Sequence, residues 1–265
     1  MRPALVLLAA TLPACAQLAR PIASYDIRAS LDARTHTITG EQTLTWHNDS
    51  PDTIPNLRLH LYMNAFRNTR STFYLESSGQ LRGDHAERDS WGWIRIHSLR
   101  TEDGADLTAA LRCVSPDDGN PDDCTVADVP LPAPVRPSQT LRLHFRFTTQ
   151  LPRVFARTGY HRDFHLAGQW FPKIGVWETR GFRGRESAGW NCHQFHANSE
   201  FYSNFGDYRV EITAPSRFVV GATGELVRRT DDPARHTSTW LFIQPSVTDF
   251  AWTAQPGFLR LERLF

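Results

Sequence analysis

The chain has 265 residues, 22% of them charged and 11% aromatic, with a formal net charge of +1. That length can bury a proper core and allows one or two domains. The near-neutral balance leaves no basic stripe for nucleic acid, and the composition is that of an ordinary globular protein rather than a disordered one.

Residues 1–16 read as a signal peptide. Arg2 supplies a short positive region, residues 4–10 an apolar core, and Ala14, Cys15 and Ala16 a small-residue cleavage site before Gln17. A lipid anchor at Cys15 is the less favoured alternative, because Pro13 fits that motif poorly. Pro3 and Pro13 bracket the apolar run too closely for a buried helix. No later stretch approaches the ~20 apolar residues of a transmembrane helix. The expectation is an exported protein, periplasmic or secreted, whose mature part is residues 17–265.

From Ser24 onward the pattern is strand and turn. Tyr25, Ile27, Ala29 and Leu31 alternate with polar partners, residues 32–36 turn the chain, and residues 38–46 return. Leu57, Leu59 and Leu61 alternate against Arg58 and His60. Residues 64–89 read as a long polar loop without helical spacing, a length uncommon inside a compact domain and often functional. Residues 91–100 read as a strand. Residues 130–137 hold four prolines, which predicts an extended connector that cannot join a sheet interior. In the clearest strand, Leu141, Leu143, Phe145 and Phe147 oppose Arg142, His144, Arg146 and Thr148. Residues 237–244 repeat that pattern more weakly. No segment of ten residues has convincing 3.6-residue apolar periodicity, and no fixed-period repeat is visible. The expected fold class is therefore all-β, with antiparallel sheets packed as a sandwich or saddle and very little helix.

Residues 169–215 are the densest stretch. Gln169, Trp170, Phe171, Pro172 and Lys173 open it, and Trp190, Asn191, Cys192, His193, Gln194, Phe195 and His196 lie at its middle. It ends in Phe205, Gly206, Asp207 and Tyr208 and a strand in which Tyr208, Val210 and Ile212 alternate with Arg209, Glu211 and Thr213. Cys113 and Cys124 flank a turn-rich loop and, in an exported protein, are expected to form a disulfide worth roughly 2–3 kcal/mol. Cys192 is left over. With His193 and His196 it has the ligand types for zinc, but on a strand His193 would face away from the other two. A buried thiol beside hydrogen-bonded histidines is the expectation, and no metal ligand is assigned. Residues 117–123 carry four carboxylates yet lack the spacing of a calcium loop, and Asp118, Gly119, Asn120 and Pro121 read first as a turn.

The order of the Trp170-Phe171-Pro172 turn, a polar insertion and residues 205–215 resembles the N-terminal β-domain of the aminopeptidase N family of zinc metallopeptidases. Residues 25–32 with 37–41 resemble that family's opening hairpin, and residues 218–224 and 247–252 its closing strands. The resemblance covers nearly everything after residue 16. Lys173 departs from it, standing where many members carry Cys, and no Asp-Glu-Pro follows. The resemblance implies the N-terminal β-domain of an exported zinc aminopeptidase acting on peptide N-termini. Such enzymes hold zinc with a helical His-Glu-x-x-His, whose histidines share a helix face while the Glu acts as base. None of the eleven histidines here begins that motif, and the Gly-x-Met-x-Asn signature is missing. The chain is thus expected to stop before the catalytic domain, to hold no cofactor itself, and to be inactive alone, with zinc implied for the full-length protein. The family also lends its substrate cleft a Gln upstream of the aromatic-Pro turn. Counting back from Pro172 reaches His161 and no Gln, while Gln169 lies closer to the turn than the pattern wants. Gln169 and His161 are the candidate substrate-binding residues. The alternative is a complete secreted β-sandwich module that binds glycan or peptide through exposed Trp and Tyr.

Overall fold

Alternation in the sequence becomes alternation in burial. Along strand Ala23–Asp32, Tyr25, Ile27 and Leu31 point into the core while Asp26, Arg28 and Ser30 face out. Along Thr140–Gln150, Leu143, Phe145 and Phe147 are buried between exposed Arg142, His144 and Arg146. The computed structural model describes residues 18–261 apart from 82, 88, 200 and 260, so the leader and Cys15 lie outside the described residues.

Three larger sheets carry the fold. The seven-stranded sheet has the order Glu225–Asp232, Thr237–Val247, Gly206–Pro215, Ala23–Asp32, Thr37–His47, Thr140–Gln150, Trp93–Thr101. A second runs Lys173–Ile174, Ile54–His60, Val126–Val135, Arg112–Val114, and a third Gly159–His161, Phe164–Ala167, Trp252–Gln255, Val219–Ala222. Buried apolar residues from all three belong to one core, with Trp46, Trp170 and Trp252 among its largest fully buried side chains. Each large apolar side chain so buried contributes roughly 1.5–3 kcal/mol over its exposed state.

The purely antiparallel expectation needs one correction. Ala23–Asp32 pairs antiparallel with Thr37–His47 but parallel with Gly206–Pro215. Gly206 permits this join, since a Cβ there would fall 1.7 Å from the carbonyl oxygen of Ala23. Two residues on, Tyr208 stacks on Tyr25 with ring centroids 4.9 Å apart. Tyr25, from the opening hairpin, is thereby locked to the end of the dense stretch.

Two other expectations are also corrected. The proline-rich residues belong to strand Val126–Val135, which pairs with Ile54–His60 and Arg112–Val114. Its prolines are tolerated because Arg112–Val114 reaches only residues 126–128, and because the register on the other side jumps between Pro130 and Val135. Residues 64–89 are not a plain loop. They hold the end of the 3-10 turn Tyr62–Phe66, the helix Thr72–Ser77 and the small hairpin of Gln80–Leu81 with Asp84–His85. Ser71 caps the helix by accepting the Tyr74 N–H at 3.4 Å and donates its hydroxyl to the Ala65 carbonyl at 2.6 Å. Six residues are too few for a helical period to show, but Phe66, Phe73 and Tyr74 are buried there.

Candidate functional site

The turn at residues 169–174 carries the chain from the third sheet to the second, and its polar groups are wired into the core. The Trp170 indole N–H donates to the Phe250 carbonyl at 3.0 Å, and the Trp170 carbonyl accepts the Thr149 hydroxyl at 2.7 Å. The Pro172 carbonyl accepts the Gln42 amide at 2.8 Å, and the Ile174 N–H donates to the Tyr25 hydroxyl at 3.1 Å. Lys173 is only 2% exposed. Its ammonium donates to Asp249 at 2.8 Å and to the Gln169 side-chain carbonyl at 3.2 Å, while the Gln169 amide donates to Asp249. Gln169 holds this position from a left-handed backbone at φ 54°. Burial pulls the Lys173 amine below the ordinary lysine range, and Asp249 opposes that pull. Breaking such a pair leaves one buried charge uncompensated, the costly case.

Gln169 is therefore committed to Lys173 and Asp249. His161 sits exposed at the end of strand Gly159–His161 in the hairpin with Phe164–Ala167. The two candidate residues share no partner among the described residues.

A second polar cluster forms where residues 192–196, the acidic turn and the short helix meet. Residues 192–196 are not a strand, and the expected separation of His193 from His196 is overturned. Asp117 takes both, His193 Nδ1 at 2.6 Å and His196 Nε2 at 3.0 Å. The other His196 nitrogen bonds Glu76 at 2.7 Å. Burial works to lower the His196 pKa, but its bonds to Glu76 and Asp117 raise it above the ordinary histidine value. Burial works to raise the Asp117 pKa, but the bonds from His196 and His193 hold it below the usual carboxylate range. Gln194 completes the cluster: its N–H donates to Asp117 at 2.7 Å and its amide to Thr72 at 2.8 Å and Asp118 at 2.9 Å. Asp118 also accepts the Thr72 hydroxyl at 2.7 Å, and Asp123 the Thr72 N–H at 3.1 Å. Asp117, Asp118 and Asp123 of the acidic turn are thus engaged by protein donors. Cys113 and Cys124, at the two ends of that turn, are joined by a disulfide with Cα atoms 4.9 Å apart.

Cys192 points elsewhere. Its sulfur lies 3.5 Å from Nδ1 of buried His60. Burial pushes the thiol well above its ordinary range and pushes His60 down to about 3. A protonated, buried thiol is an inert one. Zinc does not fit this set: the thiol faces the interior, while both ring nitrogens of His196 are taken by carboxylates. Among the described residues no three His, Cys, Asp or Glu side chains are placed to hold a metal ion.

Two further polar centres carry no signature in sequence spacing. Glu178 is buried and accepts from Arg185 at 3.0 Å, Asn191 at 3.0 Å and the Tyr202 hydroxyl at 3.1 Å. His165, also buried, bonds His36 at 2.9 Å, with its other ring nitrogen on the Asp163 carbonyl at 3.0 Å. Burial, and then the neighbouring His36, push His165 down to about 4. His36 lies 129 residues from His165, and the partners of Glu178 are scattered over residues 185–202, so no fixed-spacing motif announces them.

No family model and no curated protein matches the chain in sequence. Solved structures match it in shape. A mutant M1 zinc metallopeptidase from Deinococcus radiodurans matches 90% of this chain at a TM-score of 0.51 and 16% identity, over 43% of its own length. A further structure of M1 zinc metallopeptidase from that organism gives 0.50 and 17% over the same shares. A two-domain M1 zinc metallopeptidase mutant bound to L-tryptophan gives 0.51 and 16%, over 90% of this chain and 44% of that one. This chain shares its fold with M1 zinc metallopeptidases. Little of it lies outside the M1 likeness, yet it spans less than half the length of each of those chains.

Proposed function

We propose that this chain is the N-terminal β-domain of an exported zinc aminopeptidase, and that it walls one side of a peptide cleft opposite a separate zinc-bearing domain. The carrying observation is the M1 likeness over 90% of this chain against 43% of the matched chain. The missing His-Glu-x-x-His and the divided donor set at Cys192 and His196 fit a domain that positions rather than reacts. Export rests on the sequence of residues 1–16. In this reading zinc belongs to the full-length protein, peptides are the substrate class, and the isolated chain does not hydrolyse them. Gln169 meets substrate only through its network with Lys173 and Asp249, whereas exposed His161 meets the second domain or the substrate directly.

The alternative, a binding module for glycan or peptide, finds no fully exposed Trp or Tyr to use. All eight Trp and all six Tyr are buried or half-buried.

The test has two arms. Residues 17–265, with zinc added, are assayed on aminoacyl-arylamides, and the genomic sequence beyond the codon for Phe265 is translated. The expected results are no hydrolysis and a downstream His-Glu-x-x-His. Hydrolysis abolished by a chelator contradicts the inert domain, and a downstream region without the motif in any frame removes the enzyme reading.

A further inference from the structure

The segment that reads in sequence as an unexplained loop encloses a pocket. Its volume is about 570 Å³, and it lies between helix Thr72–Ser77, the small hairpin after it and Trp91. That is within the size range of small-ligand sites. Tyr74 and Trp91 meet there edge to face, with ring centroids 6.0 Å apart. The open side carries His85, Glu87 and Asp89, all exposed.

Tyr74 is the decisive group. It is only 7% exposed and lines the pocket, but its hydroxyl has no hydrogen-bond partner among the described residues. That oxygen is also not among the polar atoms sealed from solvent, and the side chain that carries it lines the cavity. A phenol this deep normally finds a partner. Of the two lining carboxylates, Asp89 sets the sign of what it meets. Glu87 pairs with Arg153 at 3.1 Å, and Asp89 has no ion pair among the described residues.

We propose that this pocket binds an organic cation, an ammonium or guanidinium carried on a short apolar stem. Such a group donates hydrogen bonds to Asp89 and to the Tyr74 oxygen, and its charge lies against the aromatic rings. The stem fills the space beside Trp91. An anion would face the Asp89 carboxylate there, and a purely apolar ligand would bury the Tyr74 hydroxyl unpaired. Nothing in this assignment depends on the peptidase reading.

The experiment titrates the full chain with four probes on short alkyl stems, butylguanidinium, butylammonium, butanol and butyrate, by calorimetry and by ligand-observed NMR. Both cations are expected to saturate a single site, butanol to bind at least about tenfold more weakly, and butyrate not to bind. Tyr74→Phe keeps the buried ring and should weaken the cations about threefold to tenfold. Asp89→Asn, on an exposed side chain, should weaken them without altering the circular dichroism. Absence of saturable cation binding, equal binding of butanol or butyrate, or affinity unchanged in both variants overturns the proposal.

Discussion

The seven-stranded sheet and the corner where residues 72–77, 117–123 and 192–196 meet are held by different physics. The sheet joins backbone ladders to an apolar face, so its strength is spread over many interchangeable contacts. The corner rests on a few side chains, each with several bonds. Asp117 alone accepts from His193, His196 and the N–H of Gln194. Spread contacts tolerate single losses, whereas a shared acceptor couples every group that depends on it.

Deleting a large side chain from the core should have the greatest effect. Trp170→Ala removes a fully buried indole and its bond to the Phe250 carbonyl. A loss of about 3–5 kcal/mol is expected in denaturant unfolding. An effect under about 1 kcal/mol would show that the turn at 169–174 is not part of the cooperative core. Opening the disulfide comes next. Cys113→Ser with Cys124→Ser should cost about 2–3 kcal/mol, and non-reducing peptide mapping of exported protein should find those two linked and Cys192 unlinked. A crosslink through Cys192 contradicts the arrangement.

Asp117→Ala is expected to cost about 1–3 kcal/mol and to act locally. Hydrogen exchange should speed up in helix Thr72–Ser77 while strand Ala23–Asp32 keeps its protection. Uniform acceleration would mean that the corner and the sheet unfold as one unit.

The smallest effect is one of sign. His196 has a raised pKa, so its contribution is full below the unfolded value of about 6.5 and fades as pH rises through the folded one. His165 is pushed down to about 4, so the unfolded chain binds the extra proton. A penalty therefore sets in as pH falls below about 6.5 and grows until about 4. Between those values acidification should loosen the region around His36 and His165 while leaving the His196 contacts intact, read residue by residue in histidine NMR. His196 is partly solvated, so its contribution is small. Parallel titration of His165 and His196 would remove the contrast.

Much of the sheet was legible because period-two alternation is a local property. Residues 25–31, 141–147 and 208–213 needed only their own neighbours to be assigned. The parallel pairing was hidden because nothing near Tyr25 points to Tyr208. The corner was hidden for the same reason: Gln194 finds its partners at Thr72, Asp117 and Asp118. Strand spacing also misled there, since residues 192–196 are held by side chains and obey no alternation. Lys173 departs from a family pattern in sequence, and its partner Asp249, 76 residues on, is supplied only by the fold. Val126–Val135 shows the limit of the proline rule, which speaks of ladder positions and not of whole strands.

The parallel join has a consequence for how the molecule is made. Ser24 and Asp207, bonded across that seam, are 183 residues apart. Strand Ala23–Asp32 can pair one edge locally, against its hairpin partner, but its other edge has no partner until residues 206–215 are available. Contacts of such long range slow folding, and an unpaired strand edge is a template for association with other chains. Refolding of this protein should accordingly be slow and concentration-sensitive, with aggregation competing until residues 206–215 arrive to cover the first strand.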